Sequence, residues 1–345
     1  MKRLLSAVSG LFFVLILSLL ALPGGYAVLA TKQTLPEFTG VTGWMNVDAP
    51  KTLKDLQNQV VLIDFWNFSS AGSLRKIKLL KKLHTKYGYD GLTIIGVHSA
   101  KFEFEKENGR LIEAVKKLKI KYAITTDPNK NLWKAYNNQK SPVHYLADSR
   151  SRIRYVFYEE SDYEETETRI QELLLEKGEE PVEFKFKMTH ARGAEIPEMH
   201  FGYRGLSHFG NIESIKAEEA QLYKLPELMT PGNFYLAGAW EPHEEMLQLK
   251  QPEGKVVILN HGSFFYMVMR SAPDRTVQVE VKINGQPLTR ENKGKDIEIQ
   301  EGRSFLTLST PRLYRILNTH NNPEDFEIEM TFDDSGAEIY EASFA

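Results

Sequence analysis

The chain has no cysteine among its 345 residues. That absence excludes disulfide staples, thiolate metal sites, a lipid-modified cysteine and any reaction run through a sulfur nucleophile. Folded stability must come from burial alone. A surplus of either charge is also missing: 43 Lys and Arg stand against 46 Asp and Glu, a net charge of −3. Such a balance gives no electrostatic case for nucleic acid or for an anionic bilayer surface. With 42% hydrophobic and 26% charged residues the composition is that of a globular protein, and the length suffices for two cores.

The N-terminus departs from this profile. Lys2 and Arg3 precede Leu4 to Leu22, an uncharged run interrupted only by small residues, and Val28-Leu29-Ala30 offers a place for cleavage. A basic start before an apolar stretch predicts export, either as a cleaved signal or as a retained helix spanning a bilayer of about 30 Å. Both place the remainder outside the cytoplasm. Residues 1–30 are therefore read as signal or membrane anchor.

Strand and helix patterns then alternate. Val60 to Phe65 is a continuous apolar run of the kind buried on both faces, and Leu74, Ile77, Leu80, Leu83 and Tyr87 follow at helical spacing. Leu92 to His98 and Tyr122 to Thr126 read as further strands, with a helix near Arg110 to Leu118 between them. Val143 to Asp148 and Ile153 to Tyr158 form a hairpin, and a helix from Tyr163 to Leu175 closes the unit. This order predicts an α/β domain over 31–178, with a mixed central sheet and helices on both faces. Residues 179–230 read as an irregular connection. In 231–345 the period becomes two, as in Val277 to Ile283 before the hairpin signal Asn284-Gly285, which predicts an antiparallel β-sandwich.

The strand Val60 to Trp66 and the turn Ser69-Ser70-Ala71-Gly72-Ser73-Leu74-Arg75 resemble the first core strand and active-site turn of the thioredoxin-like family of the TlpA, ResA and DipZ type. Further matching segments are Ile94 to Ser99, Phe102 to Glu105 and Tyr122-Ala123-Ile124. Phe201 to Arg204, Gly238-Ala239-Trp240 and Thr310 to Tyr314 resemble the C-terminal domain of DipZ proteins, which looks like a carbohydrate-binding-module sandwich. The resemblance covers roughly 35–345. It implies a thioredoxin fold in which Ser70 and Ser73 occupy the positions of the attacking and resolving cysteines. It also implies a cis Ser141–Pro142 peptide facing the turn, beside a groove for an extended peptide bounded by Trp66, Ser70, Ser73, Ser141 and Pro142. The inner pair Ala71-Gly72 departs from the family's usual one.

Other motifs carry plainer readings. Serine catalysis needs an adjacent base, which spacing assigns to none of the histidines, so Ser70 reads as a helix cap. The histidines lack the tight spacing of a metal site, and no cofactor motif is present. Asp64 reads as a strand-end residue with a hydrogen-bond partner, and Lys76, Lys78, Lys81 and Lys82 as one solvated helix face. Trp240 and Tyr266 are candidates to stack on a glycan. The sequence thus predicts an exported, thioredoxin-like pseudoenzyme that binds a protein or peptide of the cell envelope. The alternatives are an oxidoreductase whose cysteines were lost or substituted, and an envelope glycan binder.

Overall fold

The structure, a computed structural model, describes residues 33–139, 141–158, 163–180, 198–320 and 324–344, with the backbone of two short strands before them. Those strands are β1 (Leu20–Ala21) and β2 (Tyr26–Val28). The rest of the Leu4 to Leu22 run, and the proposed cleavage point at Ala30, lie outside the described residues. No described helix is long and apolar enough to cross a membrane.

The first domain contains β3 (Trp44–Met45), β4 (Val60–Trp66), β5 (Leu92–His98), β6 (Ala123–Thr126), β7 (Val143–Ala147) and β8 (Ile153–Tyr158). Its helices are α1 (Ala71–Tyr87), α2 (Asn108–Leu118), α3 (Asn131–Ala135) and α4 (Tyr163–Lys177). The sheet order is β1-β2-β8-β7-β4-β5-β6-β3. Strands β4, β5 and β6 run parallel, while β7 pairs antiparallel to β4. The central position of β4 explains its unbroken apolar sequence, since every one of its residues is buried. Leu62 and Trp66 face a core shared with α1 and α4, whereas Val61, Ile63 and Phe65 face Leu132 and Tyr136.

The second domain is antiparallel throughout its named strands. Strands β9 (Met199–His200) and β10 (Gln221–Tyr223) come from the segment expected to be irregular, and they join its sheet. They are followed by β11 (Asn233–Pro242), β12 (Leu247–Leu249), β13 (Lys255–Gly262), β14 (Phe264–Ser271), β15 (Val277–Ile283) and β16 (Gln286–Pro287). The remainder are β17 (Ile297–Gln300), β18 (Arg303–Leu308), β19 (Arg312–Asn318), β20 (Glu324–Phe332) and β21 (Ala337–Phe344). Strand β11 belongs to both layers: Asn233 to Ala237 pair with β13, and Trp240 to Pro242 with β12. Gly238 sits at this corner with φ +93°, a left-handed conformation that glycine adopts without a Cβ penalty.

The two domains share one hydrophobic cluster. Tyr266, Val268, Leu313 and Tyr340 pack with first-domain residues that include Phe68, Ala71, Phe102 and Phe104. Phe102 and Phe104 each meet Tyr340 edge-on at 5.1 Å between ring centroids. Polar contacts seal the same seam. Lys101 pairs with the buried Glu341 and with Glu198, and the Glu103 N–H donates to Glu245 at 2.8 Å.

Candidate functional site

Strand β4 ends at Trp66 and the chain turns through Asn67 to Ser70 before entering α1. Ser70 is the N-cap: its Oγ accepts from the Ser73 N–H at 3.3 Å, satisfying a donor that the first helical turn leaves unpaired. Ser73 Oγ in turn accepts from the Asn67 N–H at 3.4 Å. Both hydroxyls therefore hold the turn's own backbone, and both serines are buried, Ser70 at 8% exposure and Ser73 at 1%.

Sequence reasoning gave no role to Glu105, yet this buried carboxylate anchors the turn. Its Oε1 accepts from Ser69 Oγ at 2.6 Å and from the Ser69 N–H at 3.2 Å. Its Oε2 accepts from the N–H groups of Lys101 and Phe102 at 2.6 and 3.1 Å. Burial raises the Glu105 pKa, against the lowering effect of these hydrogen bonds. The only signal in the sequence is its place in Phe102 to Glu105, quoted above for family likeness.

The Ser141–Pro142 peptide is cis. Because Phe65 pairs with Val143 across β4 and β7, this dipeptide stands at the Trp66 end of the sheet, where the Asn67 to Ser70 turn begins. Ser141 is exposed and Pro142 buried. Trp66 is fully buried with Gly96 alongside: a Cβ on Gly96 would stand 3.0 Å from the indole nitrogen. The expectation that Trp66 lines a peptide groove is thus corrected, since its ring belongs to the core beneath the turn.

Asp64 also differs from expectation. It lies within β4 rather than at its end, it is buried, and neither carboxylate oxygen has a hydrogen-bond partner among the described residues. Burial raises its pKa to about 6, with the Lys76 charge acting in the opposite direction. Lys76 is not on a solvated face: it is buried, and its Nζ lies 3.0 Å from His144 Nδ1. His144 is the ladder partner of Asp64, and burial followed by the Lys76 charge depresses its pKa well below the usual histidine value. His98, stacked on Phe68 at 5.3 Å, is depressed to about 3 by burial. Neither imidazole is positioned by a hydrogen bond to Ser70 or Ser73 among those described.

The glycan candidates are corrected as well. Trp240 is fully buried, with its Nε1–H donating to the Ala237 carbonyl at 2.9 Å and its ring edge-on to Phe332. Tyr266 is buried at the domain seam with Arg75 above its ring. Neither offers a free face for a sugar. Folding does gather two His and carboxylate groups that spacing did not reveal. Around His200 stand Glu198 and Glu341, both already paired with Lys101, and His243 stands between Glu218 and Glu241, with Lys250 on the latter.

Comparison with known proteins assigns both halves. The Redoxin family matches residues 30–174, and the family described as thioredoxin like C-terminal domain matches 196–344. Protein DipZ of Mycobacterium bovis is 29% identical over 279 residues, covering 77% of this chain and 40% of DipZ. The chain thus spans about two fifths of that relative's length. Thiol-disulfide oxidoreductase YkuV of Bacillus subtilis is 25% identical over 145 residues, 42% of this chain and 97% of YkuV. A solved thiol-disulfide isomerase from Corynebacterium glutamicum covers 41% of this chain and 96% of its own, at 22% identity and a TM-score of 0.38.

Proposed function

The chain belongs to the thioredoxin-like proteins, as a redoxin domain followed by a thioredoxin-like C-terminal domain, and from that premise we propose that it is a non-redox member that binds an exported polypeptide. The observation that carries this reading is the use of the two site hydroxyls. Ser70 Oγ and Ser73 Oγ each accept a backbone N–H of their own turn, so the turn keeps its shape without sulfur. Disulfide exchange needs a thiolate to attack and a second sulfur to resolve, and the chain holds neither. A serine nucleophile needs a hydrogen-bonded base, which the turn lacks among its described contacts.

A polypeptide would lie along the outer rim of this turn, across Gly72, Arg75 and the exposed Ser141, instead of over Trp66. The basic and apolar start of the chain supports an extracytoplasmic setting for that binding. Two measurements on the purified chain test the reading. Insulin reduction by dithiothreitol should proceed at the uncatalysed rate, and a labelled, reduced and unfolded polypeptide should bind saturably by fluorescence anisotropy. Absence of saturable binding would overturn the proposal.

A further inference from the structure

Two guanidinium-bearing side chains flank Tyr266 at the seam between the domains. Arg75 of α1 lies over its ring, 5.7 Å from the centroid, and Arg315 of β19 is its partner across the ladder. Leu313 and Arg315 alternate onto one face of β19, and Leu313 packs in the cluster shared with the first domain. The approach to β17 adds Lys295. Gly294 N–H donates to the Ile316 carbonyl at 2.8 Å and Asp296 N–H to the Arg315 carbonyl at 3.3 Å, which sets Lys295 beside Arg315. Glycine is required for this approach, because a Cβ at 294 would stand 2.1 Å from the Arg315 carbonyl oxygen.

Lys117, near the end of α2, lies within electrostatic reach of Lys295. Burial depresses the Lys295 ammonium first, and the charges of Arg315, Lys117 and Arg312 add to that effect. Asp296 opposes them, but its carboxylate already accepts from the Arg315 N–H at 2.8 Å and pairs with Arg312 at 3.0 Å. Lys117 and Lys295 are exposed and Arg315 partly so. In a chain of net charge −3 this is a local excess of positive charge, gathered from α1, α2, β19 and one loop.

We propose that this seam binds an acidic segment of polypeptide, with Lys117, Lys295 and Arg315 meeting its carboxylates and Arg75 with Tyr266 forming the edge nearest the Ser70–Ser73 turn. The inference rests on the polypeptide-binding reading and supplies its substrate class. Cations spread over four elements, with Lys117 and Lys295 exposed, suit carboxylates spaced along an extended chain. A single small anion would instead call for one compact cradle.

The test uses the full chain and two short labelled peptides, one alternating Asp with Ser and one alternating Asn with Ser, in anisotropy titrations. The acidic peptide should bind about tenfold more tightly, and this margin should shrink as salt is added. Lys117→Ser/Lys295→Ser/Arg315→Ser should remove about that same factor for the acidic peptide and leave the neutral one unchanged. The exposed pair Lys117→Ser/Lys295→Ser serves if the triple variant fails to fold, and Lys117→Arg/Lys295→Arg should retain binding. Equal affinity for both peptides would overturn the acidic preference while leaving polypeptide binding intact. No binding of either peptide would overturn both. Vesicles containing phosphatidylglycerol provide a further arm: Lys295-dependent vesicle binding without acidic-peptide binding would overturn the proposal in favour of a membrane surface.

Discussion

Lys76 Nζ lies 3.0 Å from His144 Nδ1, with both side chains buried at 1% exposure, and this contact joins the site helix α1 to strand β7. Asp64 sits across the ladder from His144 and feels the Lys76 charge. One cation therefore serves two buried groups: it donates a hydrogen bond to a neutral imidazole and offsets a carboxylate that has no hydrogen-bond donor of its own among the described residues. Removing it should be costly. Lys76→Met is expected to lower stability by about 3 kcal/mol at pH 7, because it leaves Asp64 buried without a countercharge. Adding Asp64→Leu should recover most of that loss. Urea unfolding of the two single variants and the double variant checks this, and simply additive costs would contradict it.

Asp64 also fixes a pH dependence. Its native pKa is raised to about 6 from 3.8, so between these values the native state holds a proton that the unfolded state has released. Its contribution to stability is full below about pH 4 and is lost as pH rises towards 6. The Lys76→Met penalty should accordingly shrink at pH 4.5, where Asp64 is protonated. A penalty independent of pH would show that the carboxylate is not the group left stranded.

His98 acts with the opposite sign. Its native pKa is depressed to about 3 from 6.5, so the unfolded state takes up a proton that the native state refuses. The stability it contributes is present above about pH 6.5 and is lost as pH falls towards 3. His98→Phe should retain the stack on Phe68 and the edge contact with Trp66. It should also reduce the loss of stability between pH 6.5 and 4.5 by roughly 2 kcal/mol. Unfolding midpoints of the two proteins at both pH values measure this difference.

Glu105 gives a prediction about local order. Its carboxylate accepts four hydrogen bonds from Ser69, Lys101 and Phe102. Glu105→Ala leaves those buried donors unpaired and should cost about 3 kcal/mol. Amide exchange at Ser69, Lys101 and Phe102 should accelerate more than exchange in the sandwich strands. Uniform acceleration would mean that Glu105 supports the whole fold and not the turn in particular.

Much of this architecture was legible wherever a side chain's environment follows from its neighbours in sequence. The stripe Ile77, Leu80, Leu83 and Tyr87 is buried as its spacing implies, and Val277 to Ile283 alternates as a half-buried strand. Asn284 and Gly285 both take positive φ, as the hairpin signal requires. Ser70 caps α1 because a hydroxyl at that position meets an unpaired N–H. The misread residues depend on distant partners. Lys76 looks like part of a lysine-rich exterior until α1 docks it against His144, 68 residues away. Trp240 looks like a sugar platform until β11 bends at Gly238 and turns it into the core. The seam cations come from positions 75, 117, 295 and 315, which no local pattern connects.

Restoring sulfur to the turn separates a lost nucleophile from a lost site. A cysteine at 70 would stand at the N-terminus of α1, where unpaired N–H groups and the helix dipole favour a thiolate. A cysteine at 73 would take the buried position, over the core that contains Asp64 with its pKa near 6. Ser70→Cys/Ser73→Cys should therefore accelerate insulin reduction by dithiothreitol, whereas the unmodified chain stays at the uncatalysed rate. Ser70→Cys alone should stop at a mixed disulfide, having no resolving partner. The seam with the second domain is the competing influence, because Ala71 already packs in a cluster with Tyr266 and Leu313. A folded but inactive double variant would mean that this packing closes the turn to disulfides, and that more than two serines separates the chain from its redox relatives.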